Sequence, residues 1–168
     1  MRNCSSTVPL TGHLNWTIIS TEHPSAAMGV KLDRVFVDAS FLVATYNRRD
    51  YFHRIALEFD VSLLSAREIW TTDAVLLEVT ATLSQPSHRA AAIQVWRQFH
   101  GGSERCRAVE ASTETLAEAM EIYRSRGDKA WSLTDCLSFI VMEREGLNEA
   151  LTSDQHFQQA GYRALLLE

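Results

Sequence analysis

Short runs of β-branched and aromatic residues alternate with helical patterns along this chain. The runs that suit strands cover residues 34–37, 68–71, 105–109, 149–152 and 162–167. At least one helical pattern separates each run from the next. This alternation is typical of a parallel sheet with helices on both faces. The sequence therefore predicts a three-layer α/β/α fold with a central, mainly parallel sheet.

Apolar residues recur at helical spacing in the intervening segments, and capping residues or glycines mark several of their ends. The predicted helices cover residues 41–44, 51–65, 74–83, 87–100, 112–126 and 156–160, besides one that begins near residue 132. We expect one side of the helix over residues 112–126 to contact the core. That predicted inner face consists of Leu116, Ala119, Met120 and Tyr123.

The helix that begins near residue 132 has the most unusual pattern of all. Ser132 can cap it, and Asp135 favours its positive end. Apolar side chains between Cys136 and Met142 cover nearly the whole circumference, so this helix should be buried. A carboxylate is thereby carried into an apolar interior, where an unpaired charge is costly. Ser-x-x-Asp is also a common helix start, so a simple capping box is the alternative explanation for Asp135.

Length and composition fit one globular domain. A chain of 168 residues can bury about 70 % of the surface that its unfolded form exposes. Residues 1–30 show no sustained period, so we expect a loosely ordered extension there and the folded domain at 31–168. No apolar run approaches the roughly 18 residues of a membrane span, and no secretion signal opens the chain. Three scattered cysteines are typical of reduced thiols. We therefore expect a cytoplasmic protein without a membrane partner.

Four acidic residues occupy positions that solvation explains poorly. Asp38 and Asp154 each follow a predicted strand, and Asp135 lies in the first turn of the buried helix. Glu78 is surrounded by apolar residues in its helix, which makes it a candidate for an inward side chain, although a helical Glu is usually solvated. Ligands of open α/β sheets bind beyond the carboxyl ends of the strands. We therefore expect these four carboxylates to converge there.

Four carboxylates in one pocket would repel each other unless a divalent cation lies among them. Oxygen ligands without a His or Cys cluster suit Mg²⁺ or Mn²⁺ better than zinc. A metal of this kind is typical of phosphoryl transfer, in which it activates a water and stabilises the leaving oxygen. The net charge of −5 argues against general nucleic-acid affinity. It does not exclude a nucleic-acid substrate at one cleft, where a bound metal can reverse the local potential.

Four short motifs in this order resemble those of the PIN-domain ribonucleases, and most closely the VapC-like toxins of toxin–antitoxin modules. The motifs are residues 37–40 (VDAS), 77–79 (LEV), 132–136 (SLTDC) and 151–157 (LTSDQHF). The resemblance covers roughly residues 33–168. Many relatives carry an Asn three residues after the helix glutamate, where this chain has Ala81. That departure bears on the toxin assignment more than on the nuclease assignment, because all four acids are present.

The resemblance implies a PIN-like fold and an endoribonuclease that cuts single-stranded RNA with Mg²⁺ or Mn²⁺. Its catalytic and metal-binding residues would be Asp38, Glu78, Asp135 and Asp154. The hydroxyls expected to support these acids are those of Ser40, Thr134 and Ser153. Homodimers and an inhibitory antitoxin protein are further implications.

Basic residues near the motifs are candidates for RNA phosphate contacts, although solvated loop charges are the ordinary explanation. They are Arg48, Arg49 and Lys129, with Arg54, Arg124 and Arg126 nearby. His156, close to Asp154, is a lesser candidate for a general base.

Three alternatives to a toxin remain open. The first is a catalytically silent PIN-like module that binds RNA or protein, and the second is a PIN nuclease of RNA processing without an antitoxin. The third is another acidic α/β protein, such as a phosphatase or a receiver domain. Position 40 is Ser where a haloacid-type phosphatase needs a second Asp, and residues 35–37 lack the acids of a receiver.

Overall fold

The computed structural model describes residues 31–168. The extension expected over residues 1–30 lies outside the described residues, as does Cys4. Cys106 and Cys136 are free and buried. The helices of residues 31–168 include none with the length and hydrophobicity of a membrane-spanning segment.

Within the described part of the chain, five short strands form the sheet, and every neighbouring pair is parallel. The strands are β1 (Arg34–Val37), β2 (Glu68–Thr72), β3 (Cys106–Val109), β4 (Glu149–Leu151) and β5 (Arg163–Ala164). Their order across the sheet is β3-β2-β1-β4-β5. Apart from its first residue, each of β1, β2 and β4 is buried throughout. This burial explains the nearly continuous apolar runs in the sequence, because helices cover both faces of such a sheet.

Helices connect the strands and complete the predicted three-layer α/β/α arrangement. They are α1 (Ala39–Ala44), α2 (His53–Ser62), α3 (Asp73–Thr82), α4 (Arg89–His100), α5 (Thr113–Ser125), α6 (Leu133–Glu145) and α7 (Gln155–Gln159). Short 3₁₀ turns cover Leu63–Ser65 and Leu165–Leu167. The predicted fold class is confirmed.

The direction in which the chain adds strands reverses beside β1. From β1 the chain adds β2 and then β3 on one side, whereas β4 and β5 lie on the other side of β1. Such a switch point leaves a crevice beyond the carboxyl ends of the two strands that flank it. The residues that follow β1 and β4 therefore occupy the place where an α/β sheet most readily binds a ligand.

The predicted burial of the helix that begins near residue 132 is confirmed for α6. Its residues 135–142 are all buried, and the helix contacts α3, α5 and β2. Ser132 caps its first turn, and Gly146 ends it with a left-handed φ of 63° that favours glycine. Because α6 starts at the rim of the sheet, the same burial that stabilises it also holds Asp135 there.

The final strand is shorter than the prediction of residues 162–167. Of the predicted strand residues 162–167, only Arg163 and Ala164 pair with β4. Leu165–Leu167 form a 3₁₀ turn instead. The strand next to β5 is itself three residues long, so it offers few backbone partners. Leu165 and Leu166 are buried without extending the sheet. An apolar run alone could not distinguish this arrangement from a strand.

The predicted inner face of α5 is wrong for three of its four residues. Leu116, Met120 and Tyr123 are 37 %, 47 % and 50 % exposed, whereas Ala119 is fully buried. Thr115 is also buried and, with Ala119, lies on the buried side of α5, which packs on α6. Small side chains let two helix backbones approach closely, and the larger apolar residues are then turned outwards. Leu116, Met120 and Tyr123 form what we call the α5 stripe.

Candidate active site

Asp38 connects the two strands that flank the crevice. It follows β1 directly, and its backbone N–H donates a hydrogen bond of 3.1 Å to the carbonyl of Leu151 at the end of β4. Its side-chain Oδ2 accepts hydrogen bonds from the hydroxyls of Ser40, at 2.8 Å, and Thr152, at 2.9 Å. Burial raises the pKa of Asp38, and these two hydrogen bonds oppose that rise. The carboxylate is thus oriented before any ligand binds.

The turn after β4 is attached to the same hydroxyls. The backbone N–H of Asp154 donates to Thr152 Oγ1 at 2.9 Å, and that of Ser153 donates to Ser40 Oγ at 3.0 Å. These bonds place Asp154 at the same rim as Asp38. Ser40 therefore contacts Asp38 directly, as the resemblance implies. The described hydrogen bond of Ser153 comes from its backbone rather than from its hydroxyl.

Thr152 is a supporting residue that sequence reasoning missed. It is fully buried, and its hydroxyl serves two acids at once. The only available signal was a polar residue directly after the apolar residues Ala150 and Leu151. The sequence analysis assigned this supporting role to the neighbouring residue Ser153 instead.

Asp135 combines a capping role with a contact in the site. The Ser132 backbone N–H donates to Asp135 Oδ2 at 2.7 Å, and the Asp135 N–H donates to Ser132 Oγ at 3.0 Å, which completes a capping box. The same Oδ2 lies 3.1 Å from Nδ1 of His156. Asp135 therefore forms the capping box and also contacts His156, so the capping role does not exclude a role in the site.

Glu78 lies at the rim and not in the interior that its apolar neighbours suggested. Both Leu77 and Glu78 are exposed on α3. Partial burial of its carboxyl group raises the pKa of Glu78, and a hydrogen bond with Thr134 opposes that rise. The charges of Asp38, Asp135 and Asp154 raise the pKa further. The other three predicted acids thus lie close enough to Glu78 for their charges to disfavour its ionised form.

The donor set fits a divalent cation. Within residues 31–168, the structure gives none of these four carboxylates an ion pair with Lys or Arg, and His156 alone is paired with two of them. Three of the groups, Asp135, Asp154 and His156, each offer one ligand atom, and these three atoms lie within 4.8 Å of one another. Oxygen-rich groups of this kind bind Mg²⁺ or Mn²⁺, whose charge would relieve the repulsion.

The basic residues predicted to contact RNA differ in position. Arg48 and Arg49 follow the far end of α1, whose six residues span about 9 Å from Asp38. Lys129 lies three residues before Ser132, which caps the same helix turn that contains Asp135. Its ammonium group is 3.6 Å from the carboxylate of Asp128, an exposed residue, whereas Lys129 itself is partly buried. Lys129 is therefore the better placed of the three.

Comparisons with known proteins agree with this architecture. The family model described as the PIN domain matches residues 35–161, a range that contains all four acids. The chain belongs to the PIN-domain family. The phosphatase and receiver-domain alternatives are therefore set aside.

Among solved structures, the chain is similar to a VapC-like ribonuclease toxin. This structure is VapC20 of Mycobacterium tuberculosis, described as a toxin that cleaves the sarcin–ricin loop. The two are 25 % identical, with a TM-score of 0.69, over 78 % of this chain and 98 % of the toxin. No match was found among curated proteins. The likeness therefore covers nearly the whole of VapC20.

Proposed function

We propose that this protein is a metal-dependent endoribonuclease that hydrolyses single-stranded RNA and acts as the toxin of a toxin–antitoxin pair in the cytoplasm. The proposal is supported by the position of Asp38, Asp135 and Asp154 at the switch point of a PIN-domain fold, where His156 contacts two of these acids and Thr152 connects the third to Asp154. Similarity to a toxin described as cleaving RNA supports the substrate class. The nuclease domain would be residues 31–168.

The metal would be held by Asp38, Glu78, Asp135 and Asp154, the residues we propose as catalytic. A bound Mg²⁺ or Mn²⁺ supplies an activated water and stabilises charge on the phosphate. The chain itself supplies orientation. Thr152 and Ser40 fix the carboxylate of Asp38, while the capping box fixes that of Asp135. Orientation of this kind lowers the cost of reaching the reactive geometry.

RNA binding requires positive charge beyond the metal, because uncompensated carboxylates repel phosphate. Lys129 precedes the capped start of α6, and the guanidinium of Arg126 lies 4.6 Å over the ring of Trp131. We propose that Lys129 contacts RNA phosphates at the rim of the sheet. Arg48 and Arg49 would contact phosphates farther along the bound RNA.

Metal removal tests the enzymatic proposal. A pool of labelled single-stranded RNA should be cut in the presence of Mn²⁺ or Mg²⁺, and EDTA should abolish cleavage because the carboxylates alone supply no activated water. Excess Mn²⁺ should restore it. Cleavage that persists in EDTA would refute a metal-dependent mechanism. Failure to bind Mn²⁺ at millimolar concentration, measured by calorimetry, would favour the silent-module alternative.

A cognate antitoxin is the partner that the toxin proposal requires. A short reading frame beside the gene should encode it, and its product should copurify with this protein and suppress RNA cleavage. An active nuclease with no such neighbour would support the alternative of an RNA-processing enzyme.

We also propose a homodimer through the α5 stripe. Leu116, Met120 and Tyr123 expose a row of apolar surface one helical turn apart, and association would remove this surface from water. Met120→Glu should therefore convert a dimer into a monomer by light scattering. Gln94→Glu, which adds the same charge at an exposed position on α4, should leave the dimer intact. A monomeric wild-type protein would contradict this proposal.

A further inference from the structure

The imidazole of His156 lies between two of the four acids. Its Nδ1 is 3.1 Å from Asp135 Oδ2 and 3.2 Å from Asp154 Oδ2. These acids come from different elements, the first turn of α6 and the cap of α7. One ring nitrogen therefore faces two carboxylate oxygens from separate parts of the chain.

The backbone fixes His156 in this position. Its N–H donates a hydrogen bond of 2.8 Å to Asp154 Oδ1, within the turn that starts α7. The next residue, Phe157, is fully buried. The side chain of His156 is 19 % exposed, whereas that of Asp154 is 33 % exposed. The backbone of His156 is thus fixed in position, while solvent still reaches the group from the side of Asp154.

The separations match those of neighbouring ligands on one ion. With metal–ligand bonds of about 2.1 Å at right angles, adjacent ligand atoms are about 3.0 Å apart. The two nitrogen–oxygen distances are close to this value, and the three ligand atoms lie within 4.8 Å of one another. Little rearrangement would be needed for all three groups to bind the same cation.

We propose that His156 is a nitrogen ligand of the bound metal and makes the site prefer Mn²⁺ to Mg²⁺. This inference rests on the proposed function, because it requires a metal among the acids. Carboxylates alone suit Mg²⁺, whereas imidazole adds affinity for first-row transition metals. His156 thereby determines metal specificity rather than serving as the general base.

The rival explanation is that His156 only hydrogen-bonds to the two carboxylates and orients them. Electron spin-echo modulation of bound Mn²⁺ separates the two, because it detects a nitrogen bonded directly to the ion. The wild-type protein should show ¹⁴N modulation, which labelling with ¹⁵N-histidine should replace with the ¹⁵N pattern. This experiment uses the unmodified sequence, so it does not depend on how a variant folds.

The variant His156→Gln should lose the nitrogen signal and lower the ratio of Mn²⁺ to Mg²⁺ affinity, measured by calorimetry, by about tenfold or more. His100→Gln is the matched control. His100 Nε2 lies 3.2 Å from Asp73 in another histidine–carboxylate pair, so its loss should change neither quantity.

Three results would overturn the inference. Mn²⁺ that binds without histidine modulation would leave the proposed nuclease intact but remove His156 from the ligand set. Absence of Mn²⁺ binding would refute both the metal-dependent function and this inference. Nitrogen modulation that survives in His156→Gln would assign the ligand to another histidine and would also overturn it.

Discussion

Asp38→Asn should abolish RNA cleavage and, in the absence of metal, make the protein more stable at neutral pH. The carboxylate is buried and accepts hydrogen bonds from Ser40 and Thr152 on one oxygen. An Asn side chain can place its carbonyl oxygen in the same position, so the hydrogen bonds survive while the charge is lost. We expect cleavage to fall by at least about a thousandfold, equivalent to about 4 kcal/mol of transition-state stabilisation.

The expected gain in stability follows from the raised pKa of Asp38. In the folded protein this pKa lies above its ordinary value of 3.8 because of burial, so the folded state retains a proton that the unfolded chain has released. The contribution of this group to stability is complete at low pH and declines as pH rises through the raised pKa. At neutral pH the buried charge therefore opposes folding. The substitution Asp38→Asn removes the free-energy cost of burying this charge.

Thermal unfolding in EDTA measures this effect. Each kcal/mol gained should raise Tm by about 2–4 °C in a chain of this size. The difference between Asp38→Asn and wild type should grow from pH 4 to pH 7. Addition of Mn²⁺ should reverse the order, because only the wild-type protein keeps the complete ligand set and gains stability from binding.

The matched control lies at the other end of the same strand. Asp33 precedes β1 and forms an ion pair of 3.2 Å with Arg67, in which both side chains are more than half exposed. Asp33→Asn removes the same charge, but exposed pairs contribute about 1 kcal/mol or less. It should leave RNA cleavage unchanged. Substantial cleavage by Asp38→Asn would contradict the catalytic assignment of this residue.

Much of the architecture could be predicted because residue spacing reports it directly. The apolar residues of α6 are distributed all round the helix, which is possible only in a buried position, and the apolar run of β1 suits a strand covered on both faces. The convergence of Asp38 and Asp154 followed from one rule, since parallel strands end at the same edge.

The features that sequence reasoning missed depend on contacts between distant residues. Thr152 supports Asp38 across 114 positions of the chain, and no local pattern indicates such a partner. The α5 stripe was assigned inwards because helical spacing shows that residues share a face, without showing which face is buried. In the fold, the buried face of α5 is the one that contains the small residue Ala119. His156 was recognised as close to Asp154, but its contact with Asp135 requires α6 and α7 to meet.

Phe157→Ala should produce the largest loss of stability among the substitutions considered, and it should also disrupt the metal site. Helix α7 has only five residues, too few to be stable without tertiary contacts. Phe157 is fully buried, with its ring 5.2 Å from that of Phe139 and 6.0 Å from that of Phe36. Loss of a buried aromatic ring costs about 3–5 kcal/mol.

The functional effect follows from the position of Phe157 in the chain, because the residue before it is His156 and Asp154 caps the same helix. If Phe157 anchors these two groups, Phe157→Ala should weaken Mn²⁺ binding even under conditions where the protein remains folded. Urea unfolding and Mn²⁺ calorimetry together measure both effects.

Phe157→Leu fills most of the cavity and should recover much of the stability and of the Mn²⁺ affinity, whereas Gln158→Ala, at the exposed next position, should change neither. Normal Mn²⁺ affinity in folded Phe157→Ala would show that the hydroxyls of Ser40 and Thr152 and the capping box of α6 suffice to hold the acids, and that the aromatic contacts stabilise the fold without positioning them.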